Sequence, residues 1–200
     1  MGQRFEVIDA GPEDTNWIRE LAVEASIHTL GGPRSSPSEC ADFIEKEFPE
    51  LVRFAQEGSF RFLVAVDREK NNLRVGYLML NLFDLDQLGR RQTCVEDFAV
   101  VPGYAGHNIG ILLFEAAATL TGDLGVHFMS GECRADNRLI HTADRYDCVL
   151  ESYSFFRACT PQARQIMEEA EKEREQRKAV ARRLARIHAR RRKRKRGEDA

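Results

Sequence analysis

Hydrophobic and polar positions follow two rhythms along this chain. Residues 5–10 alternate, with Phe5, Val7 and Ile8 set among polar neighbours, which predicts a strand that Gly11 and Pro12 break. Asp14 or Thr15 is placed to cap a helix with Ile18, Leu21, Ala22 and Ala25 on one face. A loop follows over residues 31–37. Ser38 is expected to cap a second helix carrying Phe43, Ile44, Leu51, Val52 and Phe54, with Pro49 dividing or kinking it. The rhythm then shortens. Residues 60–66 and 73–80 are rich in strand formers and flank a polar turn at 67–72, the pattern of an antiparallel hairpin.

A further strand is expected at 93–101, ended by Pro102 and Gly103, and an apolar helix at 109–120. Residues 126–133 read as a strand, 136–147 as a helix and 149–156 as a closing strand. The order β-α-α-β-β-β-α-β-α-β joins a hairpin to β-α-β crossovers. It predicts an α/β (α+β) fold: a mixed, mostly antiparallel central sheet flanked by helices.

At 200 residues and 42% apolar content, the chain is long enough for one cored domain plus an appendage. No run of about 18 apolar residues exists to span a bilayer. The first residues lack a basic segment followed by an apolar one, so a cytoplasmic protein, or one within a nucleoprotein assembly, is expected. The five cysteines are scattered and form no C-x-x-C pair, which argues for idle thiols in a reducing compartment and against a zinc site.

The net charge of −2 conceals a division. Residues 161–200 hold 15 Lys and Arg against 7 Asp and Glu, a net +8, while the remaining 15 and 25 give residues 1–160 a net −10. Two regions are therefore expected, a domain over 1–160 and a charged tail over 161–200. From residue 162 to 196 there is no Gly or Pro, and Glu168–Lys172 and Glu173–Arg177 stand in the favourable i,i+4 order. The tail reads as a long basic C-terminal helix with a thin stripe of Val180, Leu184 and Ile187, ending in seven basic residues from Arg190 to Arg196. Residues 178–196 are expected to meet nucleic acid, an anionic membrane surface or an acidic partner. The absence of aromatics gives no support to base stacking.

Candidate chemistry centres on residues 95–113. A strand leads through a Gly- and Asn-containing turn into a helix, whose first N–H groups and partial positive charge suit phosphate. This stretch, with the element order over about residues 4–157, resembles the GNAT superfamily of acyl-CoA-dependent N-acyltransferases. The family's loop reads Arg/Gln-x-x-Gly-x-Gly/Ala, and the matching residues are Ala105, Gly106, His107, Asn108, Ile109 and Gly110. Ala105 stands where the family usually has Arg or Gln, which removes a phosphate-facing side chain, and Asn108 stands where it has Gly. Glu96-Asp97-Phe98 looks like the family's fourth strand, and Asp136-Asn137-Arg138 resembles the Asn-containing start of its last helix.

The resemblance implies acetyl-CoA as cosubstrate, with its phosphates on residues 105–110 and its pantetheine arm on backbone groups of Phe98, Ala99 and Val100. Asn137 would join the cofactor site. A strand carboxylate can take a proton from the acceptor ammonium. Glu96 is the best candidate, since adjacent Asp97 would face the other way in an unbroken strand, an alternation that a bulge could alter. Tyr146 would protonate the departing thiolate. The acidic body fits a cationic acceptor, a small molecule or a protein lysine. Two functions follow: an N-acyltransferase acetylating a primary amine, or a catalytically reduced GNAT module with a polyanion-binding tail.

Overall fold

The computed structural model describes residues 3–30 and 35–131, and beyond them Gln165, Glu168, Glu169, Lys172, Glu173, Glu175, Gln176 and Ala179. The elements are β1 (Phe5–Asp9), α1 (Thr15–Thr29), α2 (Pro37–Gln56), β2 (Phe60–Asp67), β3 (Leu73–Leu85), β4 (Arg91–Val100), α3 (Ile109–Asp123) and β5 (Met129–Gly131). The helix expected at 136–147, the strand at 149–156 and the basic run at 190–196 lie outside the described residues. The eight described tail residues are helical, and Ser38 of α2 donates to Glu173 at 3.4 Å.

The sheet has the order β1-β2-β3-β4-β5. Its first four strands pair antiparallel and β5 joins β4 in parallel, the mixed, mostly antiparallel arrangement expected from the sequence. Alternation along β2 and β3 divides their side chains between two helical layers. Phe62, Val64, Val66, Tyr77 and Met79 pack beneath Ile18, Leu21 and Ala22 of α1 and Ile44 and Phe48 of α2. Leu63, Ala65, Val75, Leu78 and Leu80 pack against Ile109, Leu113, Phe114 and Ala117 of α3 on the opposite face. Burial on both faces explains why β2 reads as an almost unbroken apolar run. Each fully buried Val, Leu or Ile here contributes about 1.5–3 kcal/mol.

Several boundaries move for identifiable reasons. Ser36, not Ser38, caps α2: its hydroxyl accepts the Glu39 N–H at 3.2 Å, and Glu39 returns a bond to the Ser36 N–H at 2.7 Å. Pro37 occupies the first turn, where a missing N–H costs nothing. Pro49 leaves α2 undivided. The helix loses one internal hydrogen bond there, while Ile44 and Phe48 anchor the turns before it. β3 runs on to Leu85, and the hairpin closes where Asp86 Oδ1 accepts the N–H groups of Leu88 and Arg90. β5 is only three residues long. Its approach is set earlier, by buried Val126 donating its N–H to Thr121.

Candidate active site

β4 carries both halves of the candidate chemistry, and its partners explain how. On the β3 side, Met79 pairs with Asp97 while the next residue, Leu80, pairs with Val95. Glu96 is therefore an extra residue, a bulge in β4. On the other side, pairing with β5 covers Thr93, Cys94 and Val95 and stops there. Among the described residues, Phe98, Ala99 and Val100 pair with β3 alone, opposite Leu78, Tyr77 and Gly76. Their other edge is left with backbone amides able to meet the amides of an extended ligand. The Phe98 ring stands edge-on to Phe114 of α3 at 5.1 Å, which seats this part of β4 beneath the helix.

The loop after β4 makes a tight 3-10 turn, Pro102–Tyr104, before α3. Ala105, Gly106, His107 and Asn108 are all exposed. Gly106 has φ +86°, and Asn108, the residue before α3, has φ +60°. Asparagine is among the few residues that tolerate this left-handed conformation, so its replacement of a glycine leaves the backbone path possible. A Cβ at Gly106 would meet nothing within 4 Å, so that side of the turn is open. The N–H groups of Gly106, Asn108, Ile109, Gly110 and Ile111 have no backbone acceptor among the described residues, and the Asn108 side chain does not cap the helix. These are the donors a diphosphate would need. Gly76 in β3 lets the first turn of α3 sit close. A Cβ there would lie 2.9 Å from the Ala99 carbonyl oxygen and 3.2 Å from Ile109 Cγ2.

A polar cluster that sequence reasoning missed fixes the loop from behind. Asp67 is fully buried, and Arg4 grips it with two hydrogen bonds of 2.8 and 3.2 Å. The Tyr104 hydroxyl donates to the same carboxylate at 3.2 Å and accepts from Lys70 at 2.8 Å. The Arg4 guanidinium and these hydrogen bonds outweigh burial and hold the Asp67 carboxyl below the usual aspartate range. Tyr104 also stacks edge-on with Phe5, and His107 Nδ1 lies 3.2 Å from its carbonyl oxygen. Asp67 and Tyr104 are 37 positions apart, and nothing in either segment pairs them.

The two carboxylates of the bulge end on one face of the sheet. The Asn81 side-chain amide donates to Glu96 at 3.1 Å, and the Tyr77 hydroxyl donates to Asp97 Oδ2 at 2.5 Å. Tyr77 and Met79 lie on the α1–α2 side, and Asn81 stands two positions beyond Met79 in β3. Glu96 is exposed, whereas Asp97 Oδ1 is buried with no hydrogen-bond partner among the described residues. Burial pushes the Asp97 carboxyl up to about 6, offset in part by the Tyr77 hydroxyl and the neighbouring Phe98 N–H. Burial, with the adjacent Asp97 charge, raises the Tyr77 phenol well above its ordinary value. Sequence reasoning selected Glu96 and missed Asp97–Tyr77, because the bulge that aligns the pair is a matter of register.

Asn137 and Tyr146 lie outside the described residues. No group of three or more His, Cys, Asp and Glu suited to a metal occurs among the described residues. Cys40 is buried and Cys94 half-buried. No helix among the described residues is long and apolar enough to cross a membrane.

A strand with a bulge, an open β4 edge and an anion-ready helix start define an acyltransferase architecture, and comparison gives the family. The model of the acetyltransferase (GNAT) family matches residues 18–142, more than half of the chain, and the chain belongs to that family. Its fold is similar to that of a GCN5-related N-acetyltransferase from Ralstonia eutropha, with a TM-score of 0.62 at 12% identity over 78% of this chain and 99% of that one. It is also similar to AAC(6')-Iy in complex with the bisubstrate analog CoA-S-monomethyl-acetylneamine, with a TM-score of 0.58 at 13% identity over 79% and 100%. A third likeness is to ribosomal-protein-alanine N-acetyltransferase from Brucella melitensis, with a TM-score of 0.53 at 13% identity over 78% and 99%. No curated protein matches the sequence significantly. Family membership supports acyltransferase chemistry as a class.

Proposed function

We propose that the chain is an N-acyltransferase that moves the acetyl group of acetyl-CoA to a primary amine. The observation that carries this is the start of α3: five N–H groups without backbone acceptors among the described residues, in a loop where Gly106 and Asn108 take left-handed conformations. Residues 105–110 would hold the diphosphate, and the open edge of Phe98, Ala99 and Val100 would hold the pantetheine amides. Acetyl-CoA supplies the activated acyl group. The chain supplies a carboxylate beside the acceptor nitrogen, for which Glu96 is the candidate named from the sequence, and Tyr146 is the candidate acid for the thiolate. One of the similar structures holds a CoA bisubstrate analog, which supports the cosubstrate. Residues 178–196 would contact a polyanion or an acidic partner independently of this site.

Calorimetry and thermal shift with acetyl-CoA test the reading. A ligand bound only by the folded state raises the melting temperature. Ala105→Arg should tighten binding by restoring a planar, bidentate phosphate partner. No heat and no shift at millimolar acetyl-CoA would leave the second reading, a catalytically reduced module, which the missing phosphate-facing side chain at Ala105 favours.

A further inference from the structure

We propose that Tyr104 and the buried Asp67 carboxylate are positioning residues for the cosubstrate, holding the loop of residues 105–110 with its amides already set for a diphosphate. The inference rests on the acetyltransferase reading and adds to it what sets cosubstrate affinity. Among residues 102–108, Tyr104 alone is buried. Short turns close the backbone on either side of it: the Tyr104 N–H donates to the Val101 carbonyl at 2.8 Å, and the His107 N–H donates to the Tyr104 carbonyl at 3.3 Å. Gly106 and Asn108, with their left-handed backbones, therefore lie within four residues of the side chain that ties this exposed loop to the sheet.

The tie is directional. Asp67 Oδ1 accepts from Arg4 Nε at 3.2 Å and from the Glu69 N–H at 3.1 Å. Oδ2 accepts from Arg4 Nη2 at 2.8 Å and from the Tyr104 hydroxyl at 3.2 Å. A carboxylate offers about four lone-pair sites, and these donors occupy them. The Lys70 ammonium can only donate, so its 2.8 Å contact takes a lone pair of the Tyr104 hydroxyl and leaves the hydroxyl proton for Asp67. Apolar contact has no preferred direction, whereas a hydrogen bond weakens steeply when bent. The ring contacts with Phe5 and Lys70 thus bury Tyr104, and the hydroxyl fixes where its backbone stands. An exposed loop with two left-handed residues has other conformations open to it. A ligand that binds one of them loses apparent affinity in proportion to the time spent in the rest. Arg4 precedes β1 and Asp67 ends β2, so the entry to the first strand belongs to the device that keeps the loop in place.

The test uses the full chain and acetyl-CoA. Tyr104→Phe keeps the ring and removes only the hydroxyl, whereas loss of Asp67 would strand Arg4. Calorimetry well below the melting temperature should give a Kd about three- to thirtyfold above the parent value, the effect of one hydrogen bond to a charged acceptor. In the ligand-free variant, NMR order parameters of the Gly106 and Gly110 N–H groups should fall. Ile44→Val, in the core on the other face of the sheet, is the control: it should lower the melting temperature and leave Kd unchanged. A merely structural tyrosine would behave as that control does. Parental Kd in Tyr104→Phe overturns the proposal. So does a raised Kd with parental order parameters, or an equal rise in Ile44→Val. Each of these leaves acetyl-CoA binding by the parent standing. A parent chain that does not bind acetyl-CoA overturns the acetyltransferase reading, and this inference with it.

Discussion

Asp97→Asn should make the folded protein more stable above pH 6, whatever it does to activity. Burial raises the Asp97 carboxyl from an ordinary 3.8 to about 6. Between those values the folded state keeps a proton that the unfolded chain has released, so stability falls as pH rises. The stabilisation belonging to the neutral carboxyl is complete below about pH 4 and lost as pH passes about 6. A displacement of about two units corresponds to about 3 kcal/mol. Asparagine keeps the shape and an acceptor for the Tyr77 hydroxyl and removes the buried charge. Parent and variant should therefore be nearly equal below about pH 4, with roughly half of the difference present by pH 5. The variant should lead by up to about 3 kcal/mol at pH 8, several degrees in melting temperature for a chain of this size. Urea unfolding of both proteins at pH 4, 5, 6 and 8 measures the difference directly, and other titrating groups cancel. A difference that does not grow with pH, or a parent more stable at pH 8, would refute the burial argument.

Gly76→Ala should destabilise the domain by about 1–3 kcal/mol, since the new methyl would meet the Ala99 carbonyl and the Ile109 side chain, and denaturant melts read the loss. Asn108→Ala should cost about 1–2 kcal/mol for its left-handed backbone, whereas Asn108→Gly should cost almost nothing, so equal melts for the two would remove the conformational explanation. Full-length protein should bind duplex DNA with a log–log salt slope of roughly −0.9 per phosphate neutralised. A chain ending at Gln162 should lose that binding and keep its melting temperature, and an unfolded truncation would make residues 163–200 part of the domain.

Element order to residue 131 was legible because each element carries its own periodicity. The two faces of β2 and the stripe of α1 are written in consecutive residues. The α2 start was also written locally, in Ser36, Pro37 and Glu39 together, although Ser38 offers a second serine two positions on. Of the two outcomes expected at Pro49, a division of α2 does not occur, because tertiary packing holds the helix across it. The stretch of residues 95–113 was readable as strand, turn and helix. The Tyr77–Asp97 pair was not. Tyr77 and Asp97 are 20 residues apart, and a one-residue change of register would send Asp97 to the other side. The Arg4–Asp67–Tyr104 cluster was hidden for the same reason, since three distant segments build it.

The sheet also works as a partition. α3 and its glycine loop stand on one face, and the Glu96–Asp97 pair opens on the other, under helices drawn from the first 56 residues. Selection can alter α1, α2 and the mouth beside Glu96 without disturbing the backbone donors that begin at Gly106. A lineage on this scaffold can vary the surface of its first helices while the backbone path of the loop from Gly106 stays constant.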